Sequence, residues 1–188
     1  MQVSTREVKM GEKKLDVPYY SQYTDLTDKD QRLVACGMTC VHMALSFYGK
    51  AQLSLDELVA TGMREGGFGS SGWLHDYLVS VFTKAGISCE RREQMQDRDV
   101  DDVRGALDEG NPVIISGVRR FFDRRIFHQV ILVGYRESDG GKLDGFYYHD
   151  PAALRAEDGQ DLYAPLGTFL LDWRRMAIFP GSAGVAEE

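Results

Sequence analysis

The chain has 188 residues, of which 43% are hydrophobic and 11% aromatic, and this length suits one domain with one buried core. No apolar run comes near the ~18 residues that a membrane span requires, so the composition is that of a soluble globular protein. The formal net charge of -7 is spread along the chain, which argues against a nucleic-acid partner because phosphate binding requires a basic surface.

The three cysteines cannot all pair within one chain, and three are too few for a disulfide-stapled scaffold of this length. The pattern therefore favours a reduced environment. Residues 1–14 are polar and lack the apolar core of a secretory signal, so we expect a cytoplasmic protein unless a signal has been removed. The sequence predicts no particular oligomeric state.

Helical patterns dominate the first 110 residues. Pro18 disfavours helix at the residue before it, which predicts an extended segment. Residues 37–48 are apolar on every side of a helical wheel, as is typical of a buried central helix, and Ser54 with Glu57 forms a capping box for the next helix. The predicted elements of this half are an extended segment at 15–20, helices at 37–48, 55–64, 73–85 and 99–109, and a short strand at 87–91.

Strand patterns dominate the rest of the chain. We predict strands at 113–118, 129–135, 145–149 and 176–179, a turn at Asp139, Gly140 and Gly141, and a short helix at 166–173. Segregated helices and strands favour an α+β fold, with a helical N-terminal lobe packed on a C-terminal antiparallel sheet. We expect one domain over 15–180, an N-terminal lead-in at 1–14 and a frayed tail at 181–188.

Two other patterns in the sequence could indicate binding sites. Residues 66–72 are glycine-rich, but they lack the Gly-Lys-Ser/Thr ending of a phosphate-binding loop, so a connecting loop is the better interpretation. Short basic clusters usually carry solvated surface charge, with contact to an anionic substrate as the alternative. These clusters contain Arg119, Arg120, Arg124, Arg125, Arg174 and Arg175.

The pattern around Cys36 indicates nucleophilic catalysis. A cysteine at a helix N-terminus lies near unpaired backbone N–H groups and the positive end of the helix dipole, both of which favour thiolate. Acyl transfer also requires an imidazole, a group that orients it and donors for the oxyanion. We expect His128, at the head of a strand, to be the base and Asp150, at the end of the neighbouring strand, to orient it. Gln22 or Gln31 could supply a side-chain donor.

These motifs resemble those of the papain-like peptidases of the bacteriocin-processing, double-glycine leader group, especially its free-standing single-domain members. The resemblance extends from about residue 15 to residue 179. The matching motifs, in that group's order, are VPYYSQ at 17–22, ACG at 35–37, FYG at 47–49, GWLH at 72–75, NPVII at 111–115, the histidine at 128 with GY at 134–135, and HDP at 149–151.

The resemblance implies a papain-like cysteine peptidase, or a related acyl-transfer enzyme, with a triad of Cys36, His128 and Asp150. It selects Gln22 as the oxyanion glutamine because this residue follows the Val-Pro segment, although Gln31 lies five residues before Cys36 and stays open. It implies peptide or protein substrates and neither metal nor organic cofactor. Cleavage after glycine is only suggested, and deamidation, transpeptidation and isopeptide cleavage would use the same groups.

The alternative is a binding module, either a degenerate peptidase or a metal site of Cys36, Cys40 and His42. The metal site is weak, because His42 lies two residues beyond Cys40 and points elsewhere on the helix, which leaves too few ligands for structural zinc. The remaining cysteine and histidines are predicted to be structural. They are Cys89, His42 and His75, and His75 could also hold the glycine-rich loop. His149, next to Asp150, should point to the opposite face of a regular strand, so it is not favoured as the base.

Overall fold

The computed structural model describes residues 11–119, 123–138 and 140–181. Its strands are β1 (Gly11–Lys14), β2 (Phe68–Gly69), β3 (Gly72–Trp73), β4 (Cys89–Arg92), β5 (Val113–Arg119), β6 (Asp123–Ser138), β7 (Lys142–His149), β8 (Leu162–Pro165) and β9 (Ala177–Pro180). Its α-helices are α1 (Lys29–Arg32), α2 (Cys36–Phe47), α3 (Leu55–Arg64), α4 (His75–Lys84), α5 (Val100–Asp108), α6 (Ala156–Gly159) and α7 (Leu166–Asp172). No helix among these residues is long and apolar enough to cross a membrane.

An antiparallel sheet of seven strands forms the centre of the molecule. Six strands follow the order β4-β9-β5-β6-β7-β8, and β1 pairs with β6 as well. Because β7 occupies one edge of β6, β1 continues along the other edge where the pairing with β5 stops. The long strand β6 therefore pairs with three strands, β5, β7 and β1.

Both faces of the sheet carry a hydrophobic core. Successive side chains of a strand point to opposite faces. Along β6, Ile131 and Val133 pack in the cluster that contains α2, α3 and α4, whereas Val130 and Leu132 pack in the cluster that contains α5 and α7. The predicted α+β fold is confirmed, and the helices lie on both faces of the sheet.

The central helix α2 is buried on all sides, as predicted. Nine of its residues, from Gly37 to Leu45, are buried. Its N-cap, Ala35, makes no side-chain capping hydrogen bond. By contrast, α3 begins at Leu55 with the predicted capping box, in which Ser54 accepts from the Glu57 N–H and Glu57 reaches back to the Ser54 backbone.

Three predicted elements differ from the structure. The predicted loop at 66–72 contains the hairpin of β2 and β3, so Trp73 is a strand residue and α4 begins only at His75. The strand predicted at 129–135 begins at Asp123, because pairing with β5 continues through Phe127 and, past a bulge, to Asp123. His128 therefore lies inside β6 rather than at its head. The first residues of β6 are mostly charged, so the pattern of apolar residues did not predict them as strand. Backbone pairing with β5 places them in the strand.

Two further strands come from segments with no predicted strand. The strand β8 precedes α7 and pairs with β7, and β1 comprises the last four residues of the predicted lead-in. In the predicted turn, Gly140 and Gly141 both have positive φ angles, while Asp139 lies outside the described residues. Arg120 and the side chains of Arg119, Arg124 and Arg125, which belong to the predicted basic clusters, also lie outside the described part of the structure. The predicted domain bounds stay a prediction.

Candidate active site

The residues Cys36, His128 and Asp150, which are far apart in sequence, come together where α2 begins against the sheet. Asp150 directly follows β7, and the pairing of Ile131 with His149 brings the end of β7 beside β6. His128 Nε2 lies 2.7 Å from Asp150 Oδ1, which also accepts a hydrogen bond of 2.8 Å from the backbone N–H of Ala152. The Asp150 side chain is fully buried, so the carboxylate is held in one orientation.

The thiol of Cys36 is hydrogen-bonded to His128. Because Nε2 of the imidazole is paired with Asp150, Nδ1 is the ring nitrogen left for the sulfur. Burial alone would raise the pKa of the Cys36 thiol. The charge of His128 and hydrogen bonds from His128, the Gln129 N–H and the Gly37 N–H outweigh burial and lower the pKa below its usual range.

The pKa of His128 shifts in the opposite direction. Burial would lower it, but the negative charge of Cys36, the hydrogen bonds to Asp150 and Cys36 and the charge of Asp150 together raise it to about 9. A lowered thiol pKa beside a raised imidazole pKa favours a thiolate and imidazolium pair near neutral pH. The arrangement can therefore supply a nucleophile and a proton donor at adjacent positions.

The two candidate oxyanion glutamines lie in different places. The backbone N–H of Gln22 donates to the carbonyl of Pro151, directly after Asp150, at 2.8 Å. The buried Gln22 side chain donates through Nε2 to the carbonyl of Arg32 at 2.6 Å. Gln31 lies on the short helix α1, where its backbone N–H donates to Asp28. Gln22 is thus joined to the loop that carries Asp150.

The other cysteines have environments that oppose ionisation. Burial and the charges of Cys36 and Asp150 raise the pKa of the Cys40 thiol well above its usual range, and Cys40 Sγ donates to the Gln129 carbonyl at 3.5 Å. Burial and Glu90 raise the pKa of Cys89 to about 12. Among the described residues, no group of three or more His, Cys, Asp or Glu side chains could hold a metal ion.

The remaining histidines have separate surroundings. His149 Nδ1 accepts from the Asp161 N–H at 3.1 Å, so Nε2 carries the proton and donates to the Val17 carbonyl at 2.9 Å. His42 packs against the ring of Tyr20 with centroids 4.6 Å apart. His75, the first residue of α4, lies closer to the candidate site because it lines the same cavity as Cys36.

An open cavity of about 350 Å³ lies beside Cys36 and His128. Trp73 forms part of its wall and fixes the segment that leads into α2, since its indole Nε1 donates to the Val34 carbonyl at 2.7 Å. The residues lining the cavity are Leu33, Val34, Cys36, Phe68, Ser70, Ser71, Gly72, Trp73, His75, Ser116, Phe127, His128, Gln129 and Arg174. A ligand in this cavity would therefore lie beside Cys36 and His128.

Gln129 is a site residue that the sequence did not indicate. Its backbone N–H reaches the Cys36 sulfur and its carbonyl accepts from Cys40. A Cβ placed on Gly37 would lie 2.1 Å from Gln129 Oε1, so glycine at this position allows α2 to approach β6. A glutamine one residue after a candidate base gives no local signal of these contacts.

A Cys-His-Asp set at the start of a buried helix, packed on an antiparallel sheet, defines the papain-like class of cysteine peptidase folds. Within that class the chain belongs to the Peptidase_C39 like family, whose model matches residues 14–178. The resemblance seen in the motifs is thereby confirmed. No curated protein matches the chain significantly.

Solved structures with this fold include three proteins that are described as peptidases or proteases. A protein described as a C39-like peptidase from Bacillus anthracis is 18% identical, with a TM-score of 0.65 over 90% of this chain and 97% of the other. The double glycine motif protease of an AMS/PCAT transporter, in complex with its leader peptide, is 17% identical, with a TM-score of 0.58 over 90% and 95%. The peptidase domain of Streptococcus ComA is 15% identical, with a TM-score of 0.55 over 79% and 92%.

Proposed function

We propose that this protein is a cysteine peptidase in which Cys36 is the nucleophile, His128 the acid and base, and Asp150 the residue that orients His128. The observation that carries the proposal is the connected set of hydrogen bonds from Cys36 through His128 to the buried carboxylate of Asp150. The opposite pKa shifts of Cys36 and His128 support a thiolate poised beside an imidazolium.

The first half-reaction forms an acyl-enzyme. The Cys36 thiolate attacks the carbonyl carbon of the scissile bond, a C–S bond forms, and the carbonyl oxygen becomes an oxyanion. The imidazolium of His128 then gives its proton to the leaving amine as the C–N bond breaks. Asp150 stabilises the imidazolium and keeps Nδ1 directed at the sulfur. A thioester on Cys36 and a free amine are the products of this step.

The second half-reaction releases the acyl group. Neutral His128 takes a proton from water, the resulting hydroxide attacks the thioester, and Cys36 leaves as thiolate. An amine in place of water would give transpeptidation. Because the first half-reaction is shared, isopeptide cleavage and deamidation use the same residues.

Gln22 is the proposed side-chain donor to the oxyanion, together with the backbone N–H of Cys36. An amide nitrogen has two N–H donors. One N–H of Gln22 is used by the Arg32 carbonyl, and the second is the proposed oxyanion donor. The link from the Gln22 backbone to Pro151 supports this choice over Gln31, because it joins Gln22 to the Asp150 loop.

The proposed substrates are peptides or unfolded protein segments. The related double glycine motif protease was solved in complex with a leader peptide, which supports an extended peptide as the ligand. The cavity beside Cys36 is lined by apolar, hydroxyl and basic residues, and it is open at the surface.

Cleavage of a peptide library by wild-type protein and by Cys36→Ala tests the proposal. Mass spectrometry of the products should show cleavage sites that appear with wild type and are lost with Cys36→Ala. Cys89→Ala is the matched control, because Cys89 lies on β4 and does not line the cavity. Identical product sets from wild type and Cys36→Ala would contradict a Cys36 peptidase.

A degenerate module that binds peptide without cleaving it is the second candidate. One observation favours it: neither Gln22 nor Gln31 is among the described residues that line the cavity. Fluorescence anisotropy with the same library distinguishes the two functions. Binding to wild type with no cleavage would favour the module, whereas Cys36-dependent cleavage favours the enzyme.

A further inference from the structure

Arg174 lies in the cavity beside the candidate triad. Its backbone N–H donates to the Ser116 carbonyl at 2.9 Å, and Ser116 is paired across the sheet with Gln129, the neighbour of His128. The backbone of Arg174 is therefore hydrogen-bonded to β5, and β5 is the strand next to β6, which carries His128. Adjacent strands lie about 4.8 Å apart. Arg174 lines the same cavity as Cys36 and His128.

The side chain of Arg174 is stacked on an aromatic ring. Its Cζ lies 3.6 Å from the ring centroid of Phe127, the residue before His128, and Phe127 is 61% exposed. A guanidinium stacked by its face keeps its N–H donors in the plane, where they can bind a carboxylate. One of these groups, Nη1, has a long contact of 3.5 Å to Ser116 Oγ. The stacking therefore positions the guanidinium without using up its donors.

Arg174 differs from most of the other arginines whose side chains the structure describes. Arg91, Arg136 and Arg175, for example, each lie within 4.0 Å of a carboxylate. No such carboxylate is found for Arg174 among the residues that the structure describes. None of the described cavity-lining residues is Asp or Glu. His75, which also lines the cavity, lies 3.7 Å from Glu93 and has a pKa lowered by burial, so Arg174 is the permanent cation on the described wall. In a chain with a net charge of -7, this cavity is a local exception.

We propose that Arg174, held on Phe127, binds a carboxylate of the peptide substrate within a few residues of the scissile bond. This inference rests on the proposed peptidase function and assigns its substrate class: peptides with an Asp or Glu side chain near the cleavage site, or with a C-terminal carboxylate at that distance. An acidic group entering the cavity meets a cation with no competing carboxylate on the described wall, and a bidentate guanidinium contact gives the pair a defined geometry.

Matched fluorogenic peptides based on a cleaved library sequence test this inference. Each position near the scissile bond carries Glu, Gln or Lys in turn, with free and amidated C-termini. For wild type we expect a kcat/KM at least about tenfold higher for Glu than for Gln at one position, as one charge-assisted contact provides. Dependence on a free C-terminus instead would assign the same contact to the terminal carboxylate.

Two substitutions connect the preference to Arg174. In Arg174→Gln the Glu-to-Gln ratio should fall to about one, and in Arg174→Glu the preference should change to Lys at the same position. Each ratio compares two substrates on one protein, so it does not depend on the fraction of folded enzyme. Arg64→Gln is the matched control and should keep the wild-type ratio, because Arg64 lies on α3 outside this cavity and bonds Thr61.

The outcomes separate this inference from the proposed function. Cys36-dependent cleavage with no acidic preference, or with a preference that Arg174→Gln retains, overturns the role of Arg174 and leaves the peptidase intact. Absence of any Cys36-dependent cleavage overturns the proposed function, and the substrate class with it. A preference that is lost in Arg174→Gln and inverted in Arg174→Glu supports the inference.

Discussion

The N-termini of helices α2 and α3 satisfy their backbone donors in different ways. At α3, Ser54 and Glu57 form a capping box, so the helix satisfies these groups with its own side chains. At α2, the N-cap Ala35 supplies no side-chain acceptor, and the Gly37 N–H instead bonds the sulfur of Cys36. One helix start therefore stabilises the fold, whereas the other stabilises a thiolate.

The comparison shows that position on a helix does not by itself determine cysteine reactivity. Cys36 and Cys40 lie one turn apart on α2, yet the pKa of Cys36 is lowered and that of Cys40 is raised. Burial acts on both thiols. The difference comes from His128 and the backbone N–H groups of Gln129 and Gly37, which lower the pKa of Cys36, and from the charges of Cys36 and Asp150, which raise the pKa of Cys40.

The largest expected effect is the difference in alkylation between these thiols. With iodoacetamide at pH 7, Cys36 should react at least about a hundredfold faster than Cys40 or Cys89, because the thiolate is the nucleophile and only Cys36 has a lowered pKa. Peptide mapping after short exposures measures the three rates separately. Comparable labelling of Cys36 and Cys40 would show that the two environments are equivalent.

Removing the charge that orients His128 should have the next largest effect. Asp150→Asn should lower kcat/KM by about a hundredfold, within the range for general acid–base catalysis. In wild type we expect activity to rise with pH as Cys36 ionises and to fall as His128, whose pKa is raised to about 9, loses its proton.

Loss of the Asp150 charge should lower the pKa of His128, so the alkaline fall of the variant should begin at lower pH. Profiles of kcat/KM against pH for both proteins measure this change. Asp144→Asn is the control, since Asp144 lies on β7, does not line the cavity, and accepts hydrogen bonds from Arg136 and Tyr163. An unchanged alkaline limb in Asp150→Asn would exclude Asp150 as the partner that sets the His128 pKa.

A smaller effect is expected from Trp73. Its hydrogen bond to Val34 supports the segment that leads into α2, where no side chain caps the helix. Trp73→Phe removes the hydrogen bond to the Val34 carbonyl and should lower the free energy of unfolding by about 1–3 kcal/mol. It should also slow Cys36 alkylation, because the segment leading into α2 loses its support. Urea denaturation and the alkylation rate measure the two effects.

Trp173→Phe provides a matched control for this substitution. Trp173 Nε1 also donates to a backbone carbonyl, that of Met176, at 3.0 Å, but Trp173 packs in the cluster on the opposite face of the sheet. We expect a similar loss of stability with an unchanged Cys36 alkylation rate. Equal slowing in both variants would trace the effect to global destabilisation.

The smallest effect is expected at the other helix start. Ser54→Ala removes the capping box of α3 and should cost about 1 kcal/mol of unfolding free energy, with no change in Cys36 reactivity. Chemical denaturation and alkylation again provide the measurements. A change in Cys36 reactivity would show that the two helix starts are coupled.

Local signals in the sequence predicted much of the fold. The Ser54 and Glu57 pattern gave the bounds of α3 correctly, and apolar residues around the wheel identified α2 as the buried helix. The α+β class follows from the segregation of the two patterns. These features depend on residues close in sequence, where side-chain chemistry and backbone geometry are directly linked.

Features that depend on distant pairing were not predicted. The strand β6 begins at Asp123 because β5 supplies backbone partners, and Trp73 lies in a strand because Phe68 pairs with it. The grouping of Cys36, His128 and Asp150 was predicted from the sequence motifs and not from local structure. The contacts of Gln129 and the stacking of Arg174 on Phe127 arise only when β5, β6 and the segment before β9 meet, so no local pattern marks them.

The pairing of β6 with β7 also constrains the order of folding. The reactive sulfur is encoded near the start of the chain, whereas Asp150 follows β7, and the contact between Tyr19 and Asp150 already spans 131 residues. Contacts of such large sequence separation close slowly because loop-closure entropy must be overcome first. The Cys36 thiol therefore acquires its lowered pKa only when β6 has brought His128 beside it.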